Sequence, residues 1–233
     1  MADSQDPAAY PGRVRLLLIR HGQTSANVSG ALSSAAPGPD LTDLGREQAD
    51  ALAQTLGGEQ IDGLYASTLA RAQQTAAPLG RALGLPIGIL EGVHEIEAGD
   101  YEDRTDPESL KAYLAPIMKW GAGDLTATIP GAYDGVHFGR RFDASVAHVA
   151  EQHGDDSTVA IVSHAGAIRV WLGGRTTNLD PAFTSSHTLH NTGVIVVSGT
   201  PRAGWKVDTW ESEPIGGEIL EDRRAPDPLG GVL

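Results

Sequence analysis

The 233-residue chain reads as a single three-layer α/β domain: a mainly parallel sheet, helices on both of its faces, and a hairpin at one edge. Three observations predict it. Two short apolar runs, at 16–19 and 158–162, have the look of buried strands, and each stops abruptly in a polar cluster that contains a histidine. Strand-like and helical patterns alternate along the chain, which implies parallel strands joined by helical crossovers. The final pair of strand patterns follows without a helix between them, as in a hairpin.

Taken in order, residues 1–12 are acidic, contain two prolines and lack the apolar stretch of a signal peptide, so they read as a flexible arm. The first strand leads into a run of Gly, Ala, Ser and Pro at 29–40, expected as a mobile loop. Thr42 is placed as an N-cap for a helix to about Leu56, with Leu44, Ala49, Leu52, Ala53 and Leu56 on one face. A short strand at 63–66 is followed by Ser67 or Thr68 as the cap of a helix that starts at Leu69, and Pro78 should kink or end it. Residues 86–90 form another strand, leading to an acidic loop at 91–102. Asp106 followed by Pro107 starts a helix to roughly Trp120, and 121–139 reads as irregular. Phe138, Arg141, Phe142, Ser145, Val146 and Val149 have helical spacing, which carries a helix to about His153. A helix after His164 should run through Leu172, and strands at 194–197 and 205–210 make the hairpin. The domain is assigned to 13–215, and 216–233, with its Pro, Gly and paired arginines, to a loose tail.

Composition narrows the function. A formal net charge of −13 argues against a nucleic-acid partner, and makes any anion site a local cationic pocket in an acidic body. With no cysteine, disulfides, thiolate nucleophiles and cysteine metal sites are excluded. No stretch is long enough to span a bilayer, and the expectation is a cytoplasmic protein with no membrane partner.

The chemistry concentrates just beyond the carboxyl ends of the two apolar strands, where open α/β sheets hold their ligands. After the first come Arg20, His21, Gly22, Gln23, Thr24 and Asn27. Arg20 offers a forked donor, Gly22 lets backbone approach an anion, Thr24 and Asn27 add hydrogen bonds, and His21 stands among them: a set suited to phosphate. Arg71 follows the 63–66 strand and would project over the same sheet edge. After the second apolar strand, Ser163-His164-Ala165-Gly166 repeats the logic of the first. His187 and His190 have a spacing that could suggest a metal, but no acid or third histidine stands near them in sequence, so no metal site is assigned.

The string Arg20-His21-Gly22-Gln23-Thr24 with Asn27 resembles the signature of the histidine phosphatase superfamily, which includes the phosphoglycerate mutases. Residues 66–76 look like its second arginine motif, with Arg71 sharing the phosphoryl group with Arg20. The family's proton donor stands four residues before a glycine, which selects Glu95 before Gly99 over Glu97. His164 resembles the second catalytic histidine, with Ala165 beside the phosphate where relatives often carry glycine. By this resemblance His21 forms a phosphohistidine, Arg20, Arg71 and His164 stabilise the transferring oxygens, Thr24 and Asn27 assist, and Glu95 handles the proton. No cofactor or metal is required, and the partner is a small phosphorylated substrate. The implied activity is phosphomonoester hydrolysis. A phosphoglycerate-type mutase is the alternative, and a non-catalytic phospho-ligand-binding protein a more remote one. The mutases' arginine pair before a proline run is missing; the nearest pair is Arg140-Arg141. A Gly-Glu-Ser stretch usual in relatives is replaced by Gly135-Val136-His137.

Overall fold

A computed structural model describes residues 13–231; the arm assigned to 1–12 lies outside the described residues. Six strands form one sheet: β1 (Val14–Arg20), β2 (Gly63–Ser67), β3 (Ile87–Leu90), β4 (Thr158–Ser163), β5 (Val194–Thr200) and β6 (Gly204–Glu211), in the order β3-β2-β4-β1-β5-β6. The first four in that order are parallel; β5 runs antiparallel to β1, and β6 completes the hairpin at the edge.

The apolar run of β1 is continuous because both of its faces are covered. Leu16 and Leu18 point into one core with Phe142, Ile168 and Trp171, while Leu17 and Ile19 point into the other with Leu52, Leu64, Ala76 and Leu79. On the second face lie α2 (Asp43–Leu56) and α3 (Ala70–Leu83); the first face receives α4 (Pro107–Gly121), α5 (Gly135–His153) and α6 (Ala165–Arg175). Two short helices, α1 (Ser25–Ser29) and α7 (Pro181–Ser186), complete the set. No helix among the described residues is long and apolar enough to cross a membrane.

Several boundaries follow the sequence. Thr42 caps α2 by accepting from the Gly45 N–H, and Asp106 caps α4 by accepting from Ser109. Others differ for identifiable reasons. The N-cap of α3 is Leu69, with no side-chain bond of its own, while the Ser67 hydroxyl meets both His164 and the Leu69 N–H. The helix runs past Pro78 to Leu83. α5 starts at Gly135 inside the stretch read as irregular, with Asp134 as its cap; Gly135 is needed because a Cβ there would stand 2.7 Å from the Trp120 ring. The buried face of α2 includes Gly45 and Gln48, since both receive the backbone of Gln23. The helix α7 was not foreseen.

The segment from Gly216 onward, read as loose, is laid across the carboxyl end of the sheet. Gln48 donates to the Leu220 carbonyl at 2.7 Å and Gln23 to the Asp222 carboxylate at 2.9 Å. Arg169 on α6 donates to the carbonyls of Leu229 at 3.0 Å and Gly231 at 2.6 Å. These are polar contacts between residues far apart in the chain, which local composition does not encode.

The turn after β1 is fixed by backbone-to-backbone contact. A Cβ on Gly22 would lie 2.6 Å from the Gly45 carbonyl oxygen, and one on Gly45 would lie 2.1 Å from the Gln23 carbonyl oxygen. Gly22 therefore makes room for α2 rather than for a ligand. Gly45→Ala should lower stability by about 1–3 kcal/mol or more, because backbone must shift. Gly58→Ala, which meets nothing within 4 Å, should stay within about 0.5 kcal/mol of the parent. Urea unfolding of the two variants measures both.

Candidate active site

Three parallel strands end level with one another. Arg20 pairs in register with Ser163, and Ala66, one residue before Ser67, pairs with Val162. The residues at and just past these ends, together with α1, the start of α3 and the loop after β3, form the site. His21, Glu95, Arg20, Arg71 and Asn27 are all buried, and with Thr24 they wall one small cavity. His164 stands behind it, its ring centroid 5.0 Å from that of His21. Ala165 is buried at the start of α6 and is not part of that wall.

The protonation of His21 follows from its partners. Arg71 Nε must donate, and it points at His21 Nε2 at 3.0 Å, so that nitrogen carries a lone pair. The ring proton is then on Nδ1, donated to the Gly22 carbonyl at 2.7 Å. Burial, then the charges of Arg71 and Arg20, push the imidazole well below its ordinary range, against a weaker opposing effect of the Gly22 carbonyl. His21 is a neutral imidazole whose Nε2 faces the Arg71 guanidinium. Asn191 Nδ2 holds its carbonyl at 3.0 Å, and Thr75 Oγ1 accepts from the Gly22 N–H at 2.9 Å.

His164 is also neutral, pushed far down by burial first and then by Arg71, His21, His94 and Arg141. Its Nε2 lies 2.7 Å from Ser67 Oγ, which itself accepts from the Leu69 N–H. With the hydroxyl hydrogen given to Nε2, the proton of His164 sits on Nδ1. That atom, Arg20 Nε and Arg71 Nη1 are buried and have no hydrogen-bond partner among the described residues. Buried donors left unmatched on residues of one site are what an anion would satisfy.

Thr24 and Asn27 form a capping box: the Asn27 side-chain oxygen takes both the N–H and the hydroxyl of Thr24. The Thr24 hydroxyl is thus engaged by the cap, although the residue lines the cavity. Its effect is to fix the amide of Asn27 so that Nδ2 points inward.

Glu95 reaches the N-terminus of α6, where Oε1 accepts from Ala167 at 2.8 Å and from its neighbour Ile96 at 2.9 Å, and Oε2 accepts from Gly166 at 3.2 Å. A Cβ on Gly166 would stand 2.8 Å from Oε1, so glycine is what lets the carboxylate close on the helix. Oε2, with one long contact, is the oxygen freer to meet a reacting group. Glu97, two residues on, bonds His94 and faces Arg141 at 3.4 Å, and is held at about 2 by those partners despite partial burial.

Sequence reasoning missed Arg141. Its guanidinium holds the carbonyls of Gly92, His94 and Glu95 at 2.6, 2.9 and 2.9 Å, so one side chain of α5 fixes the loop that presents Glu95. It missed Ser67 and Asn191 as well. Arg71 Nη2 donates to the Ser33 carbonyl at 2.9 Å, and burial lowers this guanidinium to about 10, still charged at neutral pH. Away from the site, His190 does have acids beside it in space: Glu213 and Glu221 place ligand-type atoms within 4.8 Å of one another, though Glu221 already takes Arg223.

The family profile described as histidine phosphatase superfamily (branch 1) matches residues 16–213. The PE-PGRS family protein PE_PGRS11 of Mycobacterium tuberculosis is 34% identical over 213 residues, 85% of this chain; the chain spans about a third of that protein, 36% of its length. The adenosylcobalamin/alpha-ribazole phosphatase of Escherichia coli is 35% identical over 161 residues, 68% of this chain and 77% of that protein. Among solved structures, mycobacterial glucosyl-3-phosphoglycerate phosphatase superposes with a TM-score of 0.72 at 26% identity, covering 86% of this chain and all of that one.

The two neutral histidines give the fold a pH signature. Each is kept uncharged in the folded protein while the unfolded chain binds its proton near pH 6.5. Below that value the unfolded state holds more protons, so stability falls as pH falls, by about 1.4 kcal/mol per pH unit for each histidine until its lowered folded value is reached. Unfolding free energies between pH 6.5 and 5 should show this slope, and His21→Gln should remove about half of it.

Proposed function

Because the chain belongs to the histidine phosphatase superfamily, we propose that it hydrolyses phosphomonoesters of small metabolites through a phosphohistidine on His21. One observation carries the reading: a buried, neutral imidazole whose Nε2 lone pair faces Arg71 and stands beside Arg20. A nucleophile there needs no deprotonation, and the charges that disfavour imidazolium favour an arriving phosphoryl group. Nε2 attacks phosphorus as the ester P–O bond breaks, and Arg71 turns from Nε2 to a phosphoryl oxygen. The Arg20 guanidinium, Asn27 Nδ2, Arg71 Nη1 and His164 Nδ1 take the remaining charge. Glu95 gives its proton to the leaving alcohol oxygen. The carboxylate then accepts a proton from water, whose oxygen attacks phosphorus; the P–N bond breaks, and phosphate and free His21 result.

Water, rather than a retained bisphosphate, is favoured as acceptor. A mutase needs a second phosphate pocket, and Arg141 of the Arg140-Arg141 pair is already engaged with three backbone carbonyls. The leaving group has a place of its own. A groove of about 570 Å³ adjoins the cavity and is lined by Ser25, Ser29, Ser33 and Glu102, with no lysine or arginine among the described residues of its walls. Hydroxyl groups suit it better than a second anion does.

Radiolabel from a phosphorylated substrate should map, acid-labile and alkali-stable, to the peptide containing His21. Turnover surviving His21→Ala would sink the assignment, and activity should persist in excess chelator. Glu95→Gln should slow phosphorylation by an alkyl phosphate about 10²–10⁴-fold, and far less with a nitrophenyl ester whose leaving group needs no proton. Glu97→Gln should cost little with either ester. In a substrate panel, neutral polyol and sugar phosphates should show higher kcat/KM than 3-phosphoglycerate; the reverse order would argue against the groove as drawn.

A further inference from the structure

The Arg20 fork is already occupied. Its Nη1 and Nη2 bond the two oxygens of Asp227, each at 2.6 Å, and Asn27 Nδ2 bonds Oδ1 at 2.9 Å. Arg20 is almost fully buried, and the side chain of Asp227 is 15% exposed. A forked guanidinium and an amide donor around two anionic oxygens is how the site would grip two phosphoryl oxygens. Asp227, Pro228 and Leu229 close the far side of the cavity and leave about 30 Å³, room for one or two waters. A phosphoryl group gripped by the same fork would meet the Asp227 carboxylate.

The segment is seated by contacts that can let go. Its backbone is held by Arg169, by Leu189 N–H to the Gly230 carbonyl at 3.0 Å, and by Asp227 N–H to the Asn27 carbonyl at 3.3 Å. Leu229 is its one apolar anchor on the core. Asp227 itself has a left-handed backbone, with φ of 36°, an unfavourable conformation for a residue with a Cβ. Gly230 packs against the ion pair: a Cβ there would lie 2.1 Å from Asp227 Oδ2 and 2.2 Å from Arg20 Nη1.

We propose that residues 225–231 are a self-inhibiting strap, in which the Asp227 carboxylate takes the position of a substrate phosphoryl group on Arg20 and Asn27. The inference rests on the reading of this pocket as a phosphate site. The protein must unseat its own C-terminal segment before it binds substrate, and its apparent affinity is the intrinsic one multiplied by the fraction of molecules with the strap open. The factor is the same for every ligand that the strap excludes, so it lowers affinity without changing the ranking of esters.

The test is binding of inorganic phosphate, which needs no turnover. Calorimetry compares the full chain, Asp227→Asn, Gly230→Ala and a chain ending at Arg224. Gly230→Ala keeps every charged group and only crowds the strap off the ion pair, so it controls for altered charge; the shortened chain controls for a folding defect in either point variant. Each altered protein should bind phosphate about tenfold more tightly or better. In the full chain, saturating phosphate should speed tryptic cleavage after Arg224, because the segment beyond it is released. Equal affinities across the four proteins would overturn the strap, and weaker binding in the altered ones would show that Asp227 orders Arg20 instead of competing for it. Absence of phosphate binding from all four would overturn the phosphate site itself, and the strap with it. With nitrophenyl phosphate, the opened proteins should show a lower KM at unchanged kcat.

Discussion

Three guanidinium groups, those of Arg20, Arg71 and Arg169, lie almost wholly out of water at the carboxyl end of the sheet, and what they require shapes everything around them. A buried charge must find acceptors or be expelled. Arg169 finds four backbone carbonyls, from Thr184, Ser185, Leu229 and Gly231, and so ties α7 and the C-terminal segment to α6. Arg71 takes the Ser33 carbonyl and the lone pair of His21, which orders the loop after α1 and sets the tautomer of the imidazole. Arg20 takes the Leu189 carbonyl and Asp227. The two histidines stay neutral in this company, so positive charge is confined to the groups that are to meet an anion.

A second layer of constraints sets positions rather than charges. Glycines stand where backbones touch: Gly22 against Gly45 fixes the turn that carries His21, and Gly166 admits the Glu95 carboxylate to the start of α6. Arg141 fixes the other end of the same residue by gripping the backbone around it. Glu95 is therefore held from two helices, α5 through its carbonyl and α6 through its carboxylate. A carboxylate placed on a loop gains the precision of the helices on either side.

How much of this was legible depends on range. The interior strands and their polar ends could be read because an apolar run followed by Arg-His-Gly or Ser-His-Ala-Gly is a local pattern. The caps Thr42 and Asp106 are local as well, and both are present. Failures come where a residue answers to a distant partner. Ser67 looks like a cap but its hydroxyl belongs to His164, 97 positions away. Thr24 looks like a phosphate ligand, yet its nearest acceptor, on Asn27, claims it first. The C-terminal segment has the composition of a loose tail, and its order comes from Arg20 and Arg169, which carry no mark in sequence of wanting it. Arg141, read as one residue of a helical pattern and as part of a pair that failed to match the mutases, gave no sign that it would support the Glu95 loop.

The ion pair of Arg20 with Asp227 ties stability to function. Without an anion, the pocket gathers Arg20 and Arg71 against two imidazoles that cannot share the charge. The body of the protein, at a formal net charge of −13, opposes the approach of free anions over the roughly 8 Å that salt leaves unscreened. Phosphate from solution is therefore a poor resident counter-ion. Asp227 offsets the burial of Arg20 from within the chain, and burial, which alone would raise its carboxyl, is outweighed by Arg20 and Asn27, so it stays ionised at neutral pH. The residue that makes the empty pocket tolerable is for that reason the one that blocks it. A counter-ion supplied by the chain competes at a fixed local concentration, so every ligand of the pocket loses affinity by the same factor, and inorganic phosphate measures that factor as well as any ester does.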